Sequence, residues 1–221
     1  MLFQKVQSPE PAVHYLAQEL NQALNAGKKV FWLVPGGSAA QVAVAVSQVL
    51  SVDNLSNLTV TLTDERYGLV GHANANWGQL LTAGFSPAGA TLLPVLTGRS
   101  IAEETTIFAQ NLQKLFDQSD YKVGLFGLGT DGHTAGILPG SPAVASHSLA
   151  MSYQAAPFQR ITMTPAAIVR LDEAVVYAVG VEKQQALKQL AQTLPITQQP
   201  AQALKAVSRL TIFNDQQGEK L

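Results

Sequence analysis

The chain has 221 residues, a net charge of -1, 47% hydrophobic residues and no cysteine. A charge balance without a basic excess argues against nucleic acid as a partner, and the missing cysteines exclude disulfides, thiolate metal sites and a thiol nucleophile. Neither a signal peptide nor an apolar stretch of membrane-spanning length is evident. These limits favour a cytoplasmic protein without a membrane partner, a monomer that folds as one α/β domain over residues 1–221.

Helix and strand patterns alternate from the start of the chain. Apolar residues at helical spacing predict a helix over residues 11–26, and the apolar run Val30–Val34 is typical of a buried parallel strand. The turn Pro35-Gly36-Gly37-Ser38 leads into a helix predicted over residues 39–50, with Ser38 as its cap. Backbone N–H groups in such a turn bind anions, although a plain strand-to-helix turn has the same composition.

Three charged residues follow the next predicted strand, Leu58–Leu62. Asp64, Glu65 and Arg66 stand out in a chain with only 13% charged residues, and they indicate either a site or a solvated turn with a local ion pair. The patterns after them predict a long loop over residues 67–77 and a short helix over residues 76–83. A connector over residues 85–100 and a long helix over residues 101–117 follow.

A glycine-rich segment follows the buried strand predicted at Val123–Phe126. It runs from Gly127 to Gly140 and carries Asp131 and His133 two residues apart. Its first six residues match the dinucleotide-binding pattern G-x-G-x-x-G, but prolines prevent a long helix from following and no acidic strand end lies about 20 residues on. We therefore expect no nicotinamide cofactor, and we interpret the segment as a loop that carries chemistry.

The last third of the chain continues the alternation. Strands are predicted over residues 148–153, 160–164, 174–179 and 210–213, and helical segments over residues 165–171, 181–194 and part of 195–206. Thr164 is placed to cap the first of these helices. With at least six strands separated mostly by helices, the fold predicted is a Rossmann-like, mostly parallel sheet with helices on both faces.

Polar or glycine-rich sequence follows four of the predicted strands. Because the carboxyl ends of parallel strands share one edge, these segments are expected to form one site. It would combine an anion-binding turn with basic, acidic and imidazole side chains, which suits a phosphorylated small molecule undergoing proton transfer or hydrolysis. The candidate residues are Gly36, Gly37, Ser38, Asp64, Arg66, Asp131, His133, Arg160 and Lys183.

The other three histidines are weaker candidates. His14 falls on a helix and is expected at the surface, His72 is expected to be a solvated loop residue, and His147 has no evident partner. No two histidines have the spacing of metal ligands, so we expect no metal.

At these motifs the chain resembles the 6-phosphogluconolactonase family, within a wider group that includes the glucosamine-6-phosphate deaminases. The resemblance covers nearly the whole chain in five stretches, of which G-x-G-x-D-G-H-T-A-x-x-x-P-G is the most specific. The stretches are Pro35–Ser38, Thr63–Arg66, Gly127–Gly140, Arg160–Thr162 and Gly180–Lys183. The resemblance implies a cofactor-independent hydrolase for 6-phospho-D-glucono-1,5-lactone in the pentose phosphate pathway.

Two positions favour the lactonase over the deaminases of the group. Leu138 stands where the deaminases carry a glutamate that helps to open the sugar ring, and Arg66 stands where they carry tyrosine. The chain also departs from the lactonase pattern, with Ala39-Ala40 for Thr-Pro, Ala75 for Ser, and Gly136-Ile137-Leu138 for Ser-Leu-Phe.

The resemblance implies that the substrate phosphate lies in the Gly36–Ser38 turn, held by Arg160 and Lys183, and that His133 removes a proton from the attacking water. Asp131 either orients the imidazole or holds a substrate hydroxyl. Arg66 either contacts the substrate or pairs with an acidic neighbour. The alternatives are a sugar-phosphate isomerase or deaminase on the same fold, and a non-catalytic sugar-phosphate-binding protein.

Overall fold

The computed structural model describes residues 1–50, 52–216 and 218, which form ten strands and six α-helices. The strands are β1 (Leu2–Lys5), β2 (Val30–Val34), β3 (Leu58–Leu62), β4 (Asp64–Arg66), β5 (Thr91–Leu93), β6 (Tyr121–Gly127), β7 (Ala150–Ala155), β8 (Phe158–Met163), β9 (Glu173–Ala178) and β10 (Arg209–Asn214). The helices are α1 (Glu10–Asn25), α2 (Ala40–Val49), α3 (Asn76–Thr82), α4 (Ile101–Gln118), α5 (Pro165–Ile168) and α6 (Gln184–Leu190). None of these helices is long and apolar enough to cross a membrane.

Seven strands form a parallel sheet in the order β1-β10-β9-β6-β2-β3-β5. Every residue of β2 and of β9 is buried, with no alternation between inward and outward positions, so both faces of the sheet centre are covered. This confirms the predicted Rossmann-like α/β fold. From β2 the chain builds outward through β3 to β5 and then returns to β6 on the other side of β2. The strand order therefore reverses between β2 and β6, where open α/β sheets bind ligands.

A second, antiparallel sheet with the order β4-β8-β7 was not predicted. The charged segment after β3, for which a solvated turn was one of two interpretations, is the first strand of this sheet. Asp64 lies opposite Thr162, and Arg66 lies opposite Arg160. Since side chains two residues apart on a strand share a face, Asp64, Arg66 and Arg160 are on the same face of this small sheet.

Several local predictions need correction. The connector over residues 85–100 contains the three-residue edge strand β5, and β1 was not anticipated, because both strands are too short for a clear pattern. The predicted helices over 165–171 and 181–194 are shorter: α5 ends at Ile168, and a 3-10 turn precedes α6, which ends at Leu190. Pro195 disfavours a helical conformation at the residue before it.

Both predicted helix caps are wrong. Ser38 lies inside a 3-10 turn, Gly37–Ala39, that precedes α2, and no side-chain cap is formed there. Thr164 does precede α5, but its hydroxyl donates to the carbonyl of Ser148 instead of capping the helix. Before α2 the backbone at Ser38 has a 3-10 conformation. Before α5 the hydroxyl of Thr164 has another hydrogen-bond partner.

Candidate active site

A cleft of about 320 Å³ opens at the carboxyl edge of the parallel sheet, where the loops after β2 and β6 face each other. It is lined by eight of the predicted site residues, namely Gly36, Gly37, Ser38, Asp64, Arg66, His133, Arg160 and Lys183. The ninth, Asp131, is not part of the lining but contacts His133. The expectation that separate strand ends meet in one site is therefore met, although Asp64, Arg66 and Arg160 come from the antiparallel sheet.

The glycine turn forms one wall of the cleft. Gly37 has a φ of +65°, which favours glycine, and it begins the 3-10 turn that continues into α2. The first N–H groups of such a helix have no acceptor within it and carry a partial positive charge. Gly36 packs so closely against Asn76 that a Cβ atom there would lie 2.3 Å from Asn76 Oδ1. Glycine is therefore required at position 36 by this packing and favoured at position 37 by its φ angle, and Ser38 lines the cleft beside them.

His133 and Asp131 form a hydrogen-bonded pair at the cleft. The distance between His133 Nδ1 and Asp131 Oδ1 is 2.6 Å, and the His133 backbone N–H also donates to that oxygen, at 3.1 Å. Partial burial acts to raise the pKa of Asp131, but these hydrogen bonds outweigh it and hold the pKa below its usual value. Because an ionised carboxylate only accepts, Nδ1 carries the proton and Nε2 is the basic nitrogen of the ring.

Gly129 makes this close pairing sterically feasible. A Cβ atom on Gly129 would lie 2.1 Å from His133 Nδ1 and 2.6 Å from Asp131 Oδ1. The Gly129 N–H donates to the His133 carbonyl at 2.8 Å, which closes the loop that carries both residues. Glycine at position 129 is therefore a steric requirement of the pair.

The residues after His133 bend over Asp64. Ala135 and Gly136 both have positive φ angles, +49° and +68°, and a Cβ atom on Gly136 would lie 2.5 Å from Asp64 Oδ2. Tyr153 holds this bend from the antiparallel sheet, since its hydroxyl donates to the Gly136 carbonyl at 2.5 Å and accepts from the Leu138 N–H at 3.1 Å.

Three basic side chains face the cleft with unused donors. Arg160 Nη1 lies 3.5 Å from Asp64 Oδ2. Arg66 Nη1 donates to the Asn74 carbonyl, and the guanidinium carbon of Arg66 lies over the ring of Phe158. Among the residues that the structure describes, Arg66 has no carboxylate partner, so the ion-pair alternative for Arg66 is not observed. The Nε atoms of Arg66 and Arg160 are buried without an acceptor.

The remaining charges in the cleft differ in their surroundings. Burial raises the pKa of Asp64, although Arg160 and the Thr63 hydroxyl favour its ionised form. Lys183 lines the cleft at the start of α6 and has no acidic partner in the part of the chain that the structure describes. With two arginines, a lysine and the helix start at one place, the cleft attracts an anion.

Asn76 lines the cleft but was not among the predicted site residues. It is only 3% exposed, its side chain donates to the Asp64 carbonyl at 2.9 Å, and its Oδ1 atom has no partner. The only sequence signal was its position after Ala75, where the family pattern has Ser-Asn. Its role depends on the packing of α3 against the glycine turn, which the sequence pattern does not specify.

The other histidines lie outside the cleft. His14 is exposed as expected, and His147 is exposed as well. His72 differs from the solvated loop residue predicted for it, because it is half-buried and its Nε2 donates to the Arg66 carbonyl at 2.9 Å. No group of three His, Asp or Glu side chains suited to a metal ion occurs within residues 1–50, 52–216 and 218.

Unpaired cations beside a hydrogen-bonded imidazole are typical of α/β enzymes that act on phosphorylated small molecules. Comparison with known families agrees with this class. The chain belongs to the glucosamine-6-phosphate isomerase/6-phosphogluconolactonase family, whose model matches residues 5–213.

Relatives with two different activities resemble the chain. A 6-phosphogluconolactonase of Pseudomonas aeruginosa is 28% identical over 88% of this chain and 84% of its own length. A glucosamine-6-phosphate deaminase of Lactococcus lactis is 23% identical over 89% of this chain and 88% of its own. The crystal structure of a 6-phosphogluconolactonase from Shewanella baltica, 21% identical, superimposes with a TM-score of 0.82 over 97% of both chains. The family and the fold are therefore established, and both activities are compatible with them.

Proposed function

We propose that this protein hydrolyses 6-phospho-D-glucono-1,5-lactone to 6-phosphogluconate. The observation that carries the proposal is the His133–Asp131 pair, with its 2.6 Å hydrogen bond, at the edge of a cleft lined by Arg160 and by two cations, Arg66 and Lys183, that have no acidic partner among the described residues. Of the acidic and imidazole side chains that line the cleft within the described residues, Asp64 is paired with Arg160, and His133 is the one available to accept a proton.

The chemistry of a lactone matches this limited set of groups. Hydrolysis of the reactive ring ester needs one base acting on one water molecule, with no metal or cofactor. Isomerisation and deamination need more, since protons must be moved at carbon and nitrogen and the sugar ring must first be opened by an acid. A cleft with a single available base is therefore better suited to the lactone.

The substrate phosphate would lie against the Gly36–Ser38 turn, between Arg160 and Lys183. The unsatisfied Nε of Arg160 and the free N–H groups at the start of the helix are donors that a phosphate oxygen would satisfy. Arg66, whose Nε is likewise unsatisfied, would contact either the phosphate or a sugar hydroxyl.

In the proposed reaction, Nε2 of His133 removes a proton from water as the water oxygen bonds to the lactone carbonyl carbon. The resulting tetrahedral oxyanion would accept hydrogen bonds from backbone N–H groups of the glycine loop, each worth about 3 kcal/mol. The bond from that carbon to the ring oxygen then breaks, and the proton passes from Nε2 to the ring oxygen. The bond at Nδ1 supports an orienting role for Asp131 over a role in holding a hydroxyl.

The second candidate is a glucosamine-6-phosphate deaminase, which the Lactococcus lactis relative favours. Against it stands Leu138, a side chain that cannot transfer a proton at the position where the family's deaminases carry glutamate. The backbone N–H of Leu138 is bound by the Tyr153 hydroxyl, and the one carboxyl side chain in the described cleft lining, Asp64, is paired with Arg160.

The test is hydrolysis of freshly generated 6-phosphogluconolactone with the spontaneous rate subtracted. His133→Ala should lower kcat by about 10²- to 10⁴-fold, the range for loss of a general base. His14→Ala, which removes an exposed histidine from α1, is the matched control and should leave kcat unchanged.

Each contrary result has a clear meaning. A loss below about threefold in the His133 variant would be too small for a general base. Ammonia release from glucosamine 6-phosphate would favour the deaminase. Binding of 6-phosphogluconate without turnover would favour a non-catalytic sugar-phosphate-binding protein.

A further inference from the structure

Glu65 is a fully buried carboxylate directly behind the cleft. It is 0% exposed, and no cation lies within ion-pair distance of it among the described residues. Its partners are instead three backbone N–H groups. Oε1 accepts from Arg66 at 2.7 Å and from Asn76 at 2.6 Å, and Oε2 accepts from Trp77 at 2.9 Å. A charge buried at such cost is stable only because each oxygen is satisfied.

These bonds join the two ends of the loop over residues 67–75. The loop is otherwise open to solvent at its tip, where Leu69 is 85% and Val70 is 61% exposed. The residues on either side of it, Arg66 and Asn76, both line the cleft. Since one oxygen of Glu65 binds the backbone of both residues, it sets the distance between these two parts of the cleft wall.

Asn76 extends this effect to the anion-binding turn. Its amide group donates to the Asp64 carbonyl at 2.9 Å, and its Oδ1 lies against Gly36 at a distance that leaves no room for a Cβ atom. Displacing the backbone of Asn76 would therefore move the side chain that supports Gly36. None of the bonds made by Glu65 reaches His133 or Asp131.

We propose that Glu65 is a positioning residue for substrate binding, which places Arg66, Asn76 and the glycine turn without touching the substrate. The inference rests on the proposed function for its choice of substrate. It assigns Glu65 to the binding of the phosphorylated sugar and separates it from the proton transfer at His133.

Glu65→Gln would keep the size of the side chain but remove its ability to accept hydrogen bonds at both terminal atoms. The amide offers one acceptor and one donor, whereas the three N–H groups around it require acceptors on both arms. At least one N–H group would lose its partner, and the remaining bonds would lose the strength that the charge provides. Arg66 and Asn76 would then no longer be held at a fixed separation.

The chain offers a matched control in Glu104. This carboxylate is 1% exposed and also accepts backbone N–H groups, those of Thr97 and Arg99, at the start of α4. Its hydrogen bonds connect the backbone of Thr97 and Arg99 to the first turn of α4, and it does not line the cleft. Glu104→Gln should therefore cost stability in the same way without affecting the substrate.

The experiment measures kcat and KM for the lactone, and Kd for 6-phosphogluconate by calorimetry, in wild type and both variants. Glu65→Gln should raise KM and Kd about 10-fold, the size expected when one contact between the substrate and a charged group such as Arg66 is lost, and leave kcat within about twofold. Glu104→Gln should lower Tm and leave all three constants unchanged. If Glu65→Gln does not fold, Glu65→Asp, which keeps the charge but has a shorter reach, should raise KM in the same direction.

Equal changes in the two glutamine variants would reduce Glu65 to a structural role, and a fall in kcat without a change in KM would also overturn the proposal. Failure of the proposed function is recognised separately, as a wild type that does not hydrolyse the lactone. In that case Kd for 6-phosphogluconate, glucosamine 6-phosphate and inorganic phosphate still tests Glu65, and unchanged values in Glu65→Gln would refute it. A wild type that binds none of the three would overturn both proposals.

Discussion

Buried polar groups at the two edges of the parallel sheet differ in how completely they are paired. At the amino edge, Glu173 begins β9 with 0% exposure and accepts hydrogen bonds from the hydroxyls of Tyr15 and Tyr121, each at 2.5 Å. Arg209, at the start of β10, forms ion pairs with Glu173 and with Glu19. The buried carboxylate is thus compensated from within the chain.

At the carboxyl edge several polar groups have no hydrogen-bond or ion-pair partner among the described residues. The Nε atoms of Arg66 and Arg160 and the Oδ1 atom of Asn76 are buried without partners, and Lys183 has no acidic neighbour among the described residues. Leaving such groups unsatisfied costs about 1–3 kcal/mol each, and more when the group is charged. The difference teaches that the amino edge compensates its buried charge from within the chain, whereas the carboxyl edge leaves a donor on each of two arginines and an acceptor on Asn76 without a partner among the described residues.

The largest effect that would test this contrast is on stability. Arg209→Ala should lower the free energy of unfolding by about 3 kcal/mol, because it leaves the buried Glu173 without its cation. The value is at the lower end of the range because the Arg209 side chain is 50% exposed and water can reach its place. Denaturant unfolding measures the loss, and kcat should not change.

Lys122→Ala is the matched control for that experiment, since its partner at 3.3 Å, Asp172, has a side chain that is 43% exposed, whereas the Glu173 side chain is 0% exposed. It should cost less than about 1 kcal/mol. A similar loss in both variants, or a fall in kcat for Arg209→Ala, would show that the two edges are not separable.

An intermediate effect is expected at the carboxyl edge for Lys183→Ala. Removing a cation that has no partner in the free protein should raise KM for the lactone about 10-fold, the worth of one charge-assisted contact, and leave Tm unchanged. Lys188→Ala, on the exposed side of the same helix, should change neither. An unchanged KM for the Lys183 variant would mean that the phosphate lies elsewhere.

The smallest effect concerns alkaline pH. Burial and the hydrogen bond to Glu173 raise the pKa of Tyr15 to about 12, above the unfolded value of about 10. The stability that this shift contributes is therefore present below about pH 10 and is lost as the pH rises towards 12. The free energy of unfolding, measured from pH 8 to 11, should fall more steeply with pH in wild type than in Tyr15→Phe. Identical slopes would contradict the raised pKa of Tyr15.

Much of the parallel sheet could be predicted because its strands are apolar on both faces. Val30–Val34 and Leu58–Leu62 were predicted with the bounds that the structure has. The antiparallel sheet could not be predicted, since β4 pairs with β8 almost a hundred residues away and its three residues carry no period. Likewise β5 is too short, with three residues, to produce a pattern.

The site was predictable to the extent that parallel strand ends share an edge. From that rule we predicted that the glycine turn, His133 and Lys183, which lie far apart in the chain, would be close together, and they line the same cleft. It could not find Asn76 or Glu65, because their roles depend on α3 packing against β4. The predicted Ser38 cap failed because residues 37–39 form a 3-10 turn before α2, and the Thr164 hydroxyl makes a hydrogen bond to the Ser148 carbonyl that the sequence pattern does not specify.

The reversal of strand order between β2 and β6 has a consequence for how activity arises during folding. The segment up to α4 supplies the glycine turn, Arg66 and Asn76, and the segment from β6 onward supplies His133, Arg160 and Lys183. Neither segment holds a complete cleft, and β1 returns from the first segment to pair with β10 in the second. Turnover therefore requires that both segments have associated correctly. The exposed end of α4 is thus a natural place to divide the chain into two fragments whose reassembly restores the enzyme.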